Sequence, residues 1–174
     1  YKKDGLFDIN ISKTWNRNYK WKPVDDNTID FLIEIEQEDI DYGDGIILSK
    51  DIIDTQIIDD NFITYKKLKL YNGYDINKNN NKERDYQKVL FKPPQPKDEE
   101  AYICYIKVNE NNDILDSNNL IIKNDTVVEF SYDKNEKNKY FRWKPLRTRY
   151  DKTLEYNNKL KNRKYIYKLI LKKK

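Results

Sequence analysis

The amino-acid sequence predicts a mainly β protein, an antiparallel barrel or sandwich with a short closing helix near its C-terminal end. Two observations predict this fold class. About six short apolar segments are separated by turn residues, without a regular alternation of helices between them. The 174 residues also include 15 Tyr and only 4 Gly, which favours strands that carry amphipathic rings. A small Greek-key barrel of the OB type fits this length.

The clearest predicted strand follows Pro23. Residues 28–36 alternate apolar and mostly acidic side chains, the period-two pattern of a half-buried strand. The apolar positions of this pattern are Ile29, Phe31, Ile33 and Ile35. Residues 41–49 then supply a glycine-containing turn and a second short strand.

The middle of the chain predicts a longer strand and a surface loop. The strand covers residues 60–75, where leucines and lysines alternate before a turn expected at Asn72-Gly73. Residues 76–85 are polar and rich in asparagine, the composition of a surface loop. The remaining predicted elements are a strand with a proline-stiffened connection at 88–98, strands within 101–113, 119–133 and 140–151, and the closing helix at 153–172.

Charge is distributed unevenly along the chain. From Lys134 to Lys174 there are sixteen Lys and Arg against three acids, a balance of +13, so the net charge of +4 leaves −9 for residues 1–133. A basic end of this kind favours a polyanionic partner such as RNA or a nucleoside triphosphate. The last lysines can also be a solvated tail, and the acidic stretch 25–60 either the solvated side of two strands or a docking face.

The composition excludes several classes of site. Cys104 is the single cysteine and there is no His, so neither an internal disulfide nor a Cys/His zinc site is available, and Cys104 is predicted to be buried and inert. No apolar segment approaches the roughly 18 residues that span a bilayer, which predicts no membrane partner and a cytoplasmic setting. The absence of Met predicts that the chain is cut from a larger protein.

The first candidate site is the segment Tyr19-Lys20-Trp21-Lys22-Pro23. Side chains alternate in an extended segment, so Lys20 and Lys22 are expected on one side and Trp21 on the other. Two ammonium groups on one side can clamp a phosphate while the indole packs into the core. An ordinary edge strand with solvated lysines is the alternative interpretation.

The second candidate site is longer. Residues 141–153 again surround a tryptophan with cations before a proline, and then place Arg147 and Arg149 two positions apart, followed by Asp151 and Lys152. If the segment is extended, both arginines and Asp151 share a side, so the carboxylate can orient one guanidinium while the other stays free for phosphate oxygens. A solvated β-ribbon is the alternative.

The third candidate site is the Asp4-Gly5 pair, which leads into the apolar residues Leu6 and Phe7. A carboxylate at this place can hold Mg²⁺ between phosphate groups, because hard cations take oxygen ligands. A simple turn before a strand is the alternative interpretation of the same pair.

Taken in order, the three segments resemble the mRNA-capping guanylyltransferases of large DNA viruses, the type found in poxviruses, asfarviruses, giant viruses and on cytoplasmic linear plasmids. These enzymes are covalent nucleotidyltransferases, as are the ATP-dependent DNA ligases and the RNA ligases. The resemblance covers nearly the whole chain. It implies that Asp4-Gly5 is motif IV, that Lys20 and Lys22 belong to motif V, and that the Trp/Arg/Asp-Lys element near 141–153 is motif VI on an OB fold.

The resemblance also implies roles for individual residues. Asp4 would lie near a Mg²⁺ or Mn²⁺ ion and the phosphates, and Lys20 and Lys22 would contact the α-phosphate of GTP. Electrostatic clamps of this kind accelerate phosphoryl-group chemistry. The residues implied to orient the β- and γ-phosphates, so that pyrophosphate leaves in line when the OB domain closes as a lid, are Arg147, Arg149, Asp151 and Lys152.

The nucleophile of this family is the lysine of a Lys-x-Asp-Gly motif, and Lys2-Lys3-Asp4-Gly5 spells that pattern. In the family, however, a far longer segment separates the nucleophile from the Lys-Trp-Lys-Pro element than the gap of about fifteen residues here. We therefore assign Asp4-Gly5 to motif IV and expect the nucleophilic lysine, activated by a lowered pKa, upstream of residue 1. This chain alone is then expected not to form the covalent lysyl-GMP.

The expected organisation has two parts. Residues 1–27 would be the last strands of a nucleotidyltransferase catalytic domain, and residues 28–174 the OB-fold lid. The expected partners are GTP, the 5′ end of an RNA and the rest of a capping enzyme. Family relatives of the viral type carry an RNA triphosphatase before this region and a cap methyltransferase after it, and no methyl transfer is predicted for this chain. The expected location is the cytoplasm. If the protein is viral, the expected location is a viral factory or the virion.

Two other functions stay open at the level of sequence. One is a non-catalytic OB-fold module that grips single-stranded RNA through basic and aromatic side chains. The other is the C-terminal part of an ATP-dependent DNA or RNA ligase, from the same superfamily. A pure RNA-binding module has no reason to keep the three segments in this order, whereas a nucleotidyltransferase has one.

Overall fold

The protein is mainly β. The computed structural model describes residues 5–12, 15–21, 27–75, 86–93 and 97–158, with the backbone alone for residues 5–21, 74, 75 and 86. The strands are β1 Gly5–Ser12, β2 Trp15–Trp21, β3 Thr28–Ile35, β4 Gln37–Asp41, β5 Ile47–Asp51, β6 Asp54–Ile58, β7 Asn61–Asp75, β8 Tyr86–Leu90, β9 Ile103–Lys107, β10 Val127–Tyr132 and β11 Trp143–Thr148. A short 3-10 helix, Lys139–Phe141, precedes β11, and helix α1 covers 150–158 of the described chain.

Seven strands form one antiparallel sheet, with β7 at its centre. The path runs β11-β10-β3-β7-β6, and β8 and β9 pair with β7 as well. Leu68 of β7 pairs with Ile35 of β3 and also with Cys104 of β9, so β3 and β9 lie on opposite edges of β7. Cys104 Sγ lies 3.8 Å from the carbonyl oxygen of Trp143 in β11. The two ends of the path β11-β10-β3-β7-β9 therefore approach each other, which is consistent with a barrel of the OB type.

The core lies inside this curved sheet. Five strands bury mainly alternate residues, as the period-two pattern of β3 predicts. Two residues of β3 depart from the prediction, because Ile29 on the apolar side is 41% exposed and Leu32 on the other side is buried. They are Phe31, Ile33 and Ile35 of β3, Leu68 and Leu70 of β7, Cys104 and Ile106 of β9, Val128 and Phe130 of β10, and Trp143 of β11. The Trp143 and Phe31 rings meet edge to face with centroids 5.0 Å apart. Such a contact contributes about 0.5–1.5 kcal/mol beyond the burial of apolar area.

The turn predicted at Asn72-Gly73 is wrong. Both residues lie inside β7, where Asn72 pairs with Val89 and Gly73 with Lys88 of β8. The backbone of Gly73 is not in the left-handed region that a tight hairpin turn at an Asn-Gly pair requires. Pairing with β8 supplies ladder hydrogen bonds that keep this part of the chain extended, and a local turn signal carries no information about such a distant partner.

Strand β6 is an element that the sequence pattern did not predict. It forms a hairpin with β7, in which Ile58 pairs with Asn61. Asp59 and Asp60 make the connection, with φ of 49° and 61°. Two successive residues in the left-handed region are typical of the tight turns of hairpins, for which glycine and asparagine are the usual signal. An Asp-Asp pair gives a weaker signal, so the hairpin was missed.

The hairpin of β1 and β2 forms a separate two-stranded sheet, as does the hairpin of β4 and β5. The seven-stranded sheet begins with Thr28, the first residue of the predicted part 28–174. Whether these parts are separate domains stays a prediction. The closing helix begins three residues before the segment predicted for it, and residues 159–172 of that prediction lie outside the described chain.

Candidate functional site

A cluster of charged side chains lies where β11 ends and α1 begins. Arg147 of β11 pairs with Glu129 of β10, and the register between the two strands shifts just beyond this pair. The strand ends at Thr148, and Asp151 already belongs to the helix. The segment from 147 to 151 is therefore not extended throughout, and the expectation that alternation alone places Asp151 beside both arginines is corrected. The first turn of the helix brings Asp151 to Arg149.

Arg147 is held through its Nε atom. This atom donates to Glu129 Oε2, while Thr28 Oγ1 of β3 donates to Glu129 Oε1 at 2.7 Å. The hydrogen bond from Thr28, followed by that from Arg147, lowers the pKa of Glu129 because both stabilise the charged carboxylate. The Glu129 side chain is 16% exposed and that of Arg147 57% exposed. Glu129 is thus held in place by its two hydrogen bonds, while the outer end of the Arg147 guanidinium is exposed to solvent.

Arg149 is held more completely. Its Nε and Nη2 atoms donate to the two oxygens of Asp151 at 3.4 and 3.3 Å, and its Nη1 atom donates to Asp30 Oδ2 at 3.0 Å. The hydrogen bond with Asp151, and then the charge of Asp30, raise the pKa of Arg149. The same bond from Arg149 lowers the pKa of Asp151. All three guanidinium nitrogens have carboxylate partners.

The backbone around Arg149 is also fastened. Arg149 N donates to the carbonyl oxygen of Val127 in β10 at 2.7 Å, and Val127 N donates to Thr153 Oγ1 at 2.9 Å. The Thr153 hydroxyl donates in turn to the carbonyl oxygen of Arg149 at 2.8 Å. These bonds connect the first turn of α1 to β10, so the positions of the arginines relative to the sheet are determined by backbone contacts as well as by ion pairs.

The structure brings together three of the residues predicted for the second candidate site. Arg147, Arg149 and Asp151 lie in one cluster, and Asp151 binds a guanidinium as expected. The expectation that the other guanidinium is entirely free is corrected, because Arg147 Nε is bonded to Glu129. Lys152 is exposed on α1.

The hairpin of β1 and β2 brings together the other two predicted segments. Its register places Leu6 opposite Lys20, so the segment that follows Asp4 runs directly beside the lysine-tryptophan segment. Asp4 and Lys22 lie outside the described residues, and of Lys20 the backbone alone is described. The roles predicted for these three residues stay predictions.

Sequence reasoning missed Thr28, Asp30 and Glu129. The alternation of β3 and β10 indicates that all three face away from the core, since their neighbours Phe31, Val128 and Phe130 are buried. Nothing in the pattern of one strand states which residue of another strand lies opposite. The register supplies this information and places Glu129 directly across from Asp30.

A resident metal finds no evident site among the side chains that the structure describes. They contain no group of three or more His, Cys, Asp or Glu that could hold a metal ion. The carboxylates at the cluster already bind guanidinium groups, since Asp30 and Asp151 pair with Arg149 and Glu129 pairs with Arg147. Cys104 is fully buried, which confirms the prediction, and burial raises its pKa to about 12. A thiol in this state is protonated and unreactive.

A cleft of about 750 Å³ opens elsewhere, beside the 3-10 helix, and its wall includes Phe91 and Trp143. Lys139 on its rim is paired with Glu100 at 2.8 Å and with Asp98 at 3.6 Å. None of the predicted site residues that the structure describes lines this cleft. Because Lys139 is already paired with two carboxylates, it gives no support for an anion site in the cleft.

A known viral protein matches nearly the whole chain. Over 171 residues, 32% of positions are identical to a protein of Acanthamoeba polyphaga mimivirus that is named "Probable mRNA-capping enzyme". The chain is similar to a probable viral mRNA-capping enzyme. The match covers 93% of this chain and 13% of that relative, so the chain spans a small part of the relative's length.

Other comparisons give no match. No protein-family model matches the chain, and no solved structure does. Among the described residues, no helix has the length and apolar character needed to cross a membrane.

Proposed function

We propose that this chain is part of an mRNA guanylyltransferase, and that the whole enzyme transfers GMP from GTP to the 5′-diphosphate end of an RNA. One observation carries the proposal: the mimivirus protein named as a probable mRNA-capping enzyme matches 93% of the chain. The order of the three charged segments supports it, because each supplies a group that nucleotidyl transfer uses.

The proposed reaction has two steps. A lysine amine outside this chain attacks the α-phosphorus of GTP, a nitrogen–phosphorus bond forms, and the bond to the departing pyrophosphate breaks. A terminal oxygen of the RNA diphosphate then attacks the same phosphorus, and the nitrogen–phosphorus bond breaks to release the lysine. Negative charge on the phosphate oxygens is present in both steps, so positioned cations stabilise both transition states.

The residues of this chain act on those charges. Lys20 and Lys22 contact the α-phosphate, and the cluster at the end of β11 faces the β- and γ-phosphates when the seven-stranded sheet closes over the nucleotide. The members of this cluster are Arg147, Arg149, Asp151 and Lys152. When bound, Mg²⁺ or Mn²⁺ would neutralise part of the phosphate charge, and Asp4 is the residue proposed to hold it.

The arrangement at the end of β11 supports a phosphate-orienting role in one respect. Arg147 extends a largely exposed guanidinium from a strand whose position is fixed by backbone hydrogen bonds and by buried Trp143. A cation held on a rigid element loses little conformational entropy when it meets an anion. Closure of the sheet over the nucleotide would then make the contact conditional on a correctly placed phosphate.

The first test is covalent labelling of the full-length polypeptide that carries this chain, with α-³²P-GTP and separately with α-³²P-ATP in Mg²⁺. Label from GTP alone is the expected result. Label from ATP would move the assignment to a ligase, and no label from either nucleotide would leave a single-stranded RNA-binding module as the better proposal. The isolated chain run beside it is expected to stay unlabelled, and label there would make Lys2 or Lys3 the nucleophile.

A second test addresses the lysines. Lys20→Ala and Lys22→Ala in the full-length polypeptide are expected to abolish labelling by GTP while leaving thermal unfolding unchanged. Lys50→Ala is a matched control, because Lys50 is an exposed strand lysine of the separate β4–β5 hairpin. Undiminished labelling in both lysine variants would refute the phosphate-clamp role.

A further inference from the structure

Two carboxylates of like charge lie opposite each other on neighbouring strands. Asp30 of β3 pairs in register with Glu129 of β10, and Glu129 pairs on its other side with Arg147 of β11. Like charges directly opposite in a sheet are destabilising unless cations compensate them. Arg147 and Arg149 supply this compensation, one for each acid. The two acids and the two arginines therefore form one electrostatic unit.

The two arginines differ in what they leave available. An arginine has five N–H donors. All three guanidinium nitrogens of Arg149 have carboxylate partners, which Asp30 and Asp151 supply. An incoming phosphate would therefore first have to displace one of these two acids. Arg147 is bonded to a carboxylate through Nε, and its Nη1 and Nη2 atoms have no partner among the described residues. These two nitrogens form the outer fork that suits phosphate oxygens.

Glu129 is the group that holds Arg147 in this orientation. Each of its oxygens has one defined partner, Thr28 Oγ1 on one side and Arg147 Nε on the other. The acid is mostly shielded from water while the arginine is exposed, so the acid is the fixed member of the pair. A long exposed side chain without such a partner would sample many rotamers. The contact through Nε removes part of that freedom and leaves the outer fork open.

Resting on the proposed function, we propose that Glu129, seated by Thr28, is a positioning residue that presents Arg147 to the phosphates of the bound nucleotide. Arg147 contacts the phosphates directly through its outer fork. Arg149, bound by Asp30 and Asp151, secures the junction of β11 and α1. The two arginines of the Arg-x-Arg spacing thus have separate tasks.

The test is a double-mutant cycle in the full-length polypeptide, with Glu129→Gln, Arg147→Ala and the combination of both. The rate of covalent labelling by α-³²P-GTP is measured at limiting and at saturating GTP. Glu129→Gln is expected to lower the labelling rate on the order of tenfold, since a small displacement of a catalytic cation has large kinetic effects. In the Arg147→Ala background the same change is expected to have no further effect, because the two residues act through one contact.

Two controls separate positioning from folding. Glu34→Gln removes a comparable cross-strand ion pair, Glu34 with Lys88 at 2.8 Å, from the same strand β3. It is expected to label at the wild-type rate. Thr28→Val is expected to lower the labelling rate by part of the Glu129→Gln defect. Thr28→Ser is expected to label at the wild-type rate, since serine keeps the hydroxyl. Thermal unfolding of each variant detects loss of the folded state independently of labelling.

The outcomes separate a failure of the proposed function from a failure of the positioning role of Glu129. If the wild-type polypeptide is not labelled by GTP, the proposed function fails. If it is labelled but Glu129→Gln labels normally, or if its defect adds in full to that of Arg147→Ala, the positioning role of Glu129 is overturned while the proposed function stands. If Arg149→Ala, and not Arg147→Ala, abolishes labelling of a folded polypeptide, the assignment of tasks to the two arginines is overturned.

Discussion

Asp30 and Arg149 lie 119 positions apart in the sequence, and Arg149 Nη1 donates to Asp30 Oδ2 at 3.0 Å. The bond joins the first strand of the seven-stranded sheet to the junction between its last strand and the closing helix. Its two side chains are about a quarter to a third exposed, at 23% and 31%. This ion pair connects two parts of the barrel that are distant in the sequence.

Replacing Asp30 by Asn tests this link. Asn keeps an oxygen acceptor but removes the charge that faces Arg149, so the melting temperature is expected to fall. The difference from wild type should shrink at about 1 M salt, where the screening length drops to roughly 3 Å. Glu38→Gln, which removes an exposed acid on the separate β4–β5 hairpin, is the control and is expected to leave the melting temperature near that of wild type. An equal loss in both variants would contradict the link.

The stability of the protein is expected to depend on pH through Glu129. Hydrogen bonds from Thr28 and Arg147 lower the pKa of Glu129 from its ordinary value of 4.5. Its contribution to the free energy of unfolding is therefore complete above pH 4.5 and is lost as the pH falls through the lower pKa of the folded state. Chemical denaturation of wild type and Glu129→Gln across this range should give two curves that converge at acidic pH. Curves that stay parallel would exclude this linkage.

The aromatic centre of the barrel predicts a large effect of truncating Phe31. This side chain is fully buried and contacts the rings of Phe91, Phe130 and Trp143. Phe31→Ala is expected to lower the free energy of unfolding by about 3–5 kcal/mol, measured by urea denaturation. Phe62→Ala is the matched control, since Phe62 is 78% exposed on the β6–β7 hairpin. Its expected change stays within about 0.5 kcal/mol, and a similar loss in both variants would rule out this account of the core.

The thiol of Cys104 is expected to resist modification in the folded protein. It is fully buried inside the barrel, and burial raises its pKa to about 12. A disulfide reagent such as 5,5′-dithiobis(2-nitrobenzoate) should react at mildly alkaline pH only after denaturant is added, which absorbance of the released thiolate records. Rapid reaction without denaturant would mean that the barrel opens between β9 and β11.

Several elements were predictable because their signal is local. The mostly period-two alternation that contains Phe31, Ile33 and Ile35 predicts a strand with one buried face, and the structure has β3 at that place. The glycine-containing turn is likewise confirmed, with Gly43 and Gly45 at φ of 85° and 77°. The buried state of Cys104 follows from the apolar run around it. Each of these features depends on residues within a few positions of one another.

The sequence by itself determined most of the residues that face the core and the segments that carry clustered charge, because both signals are local. Only the tertiary structure decided how those charges are paired, because pairing depends on strand register and a register joins residues that are far apart in the chain. Asp30 and Glu129 face outward by alternation, but the two-residue spacing from buried Trp143 would place Arg147 on the core side. The register shift between β10 and β11 turns Arg147 outward, and the order β3-β10-β11 places the three residues in one row. For the same reason Asn72-Gly73, a turn by local propensity, became part of a strand when β8 supplied its partner.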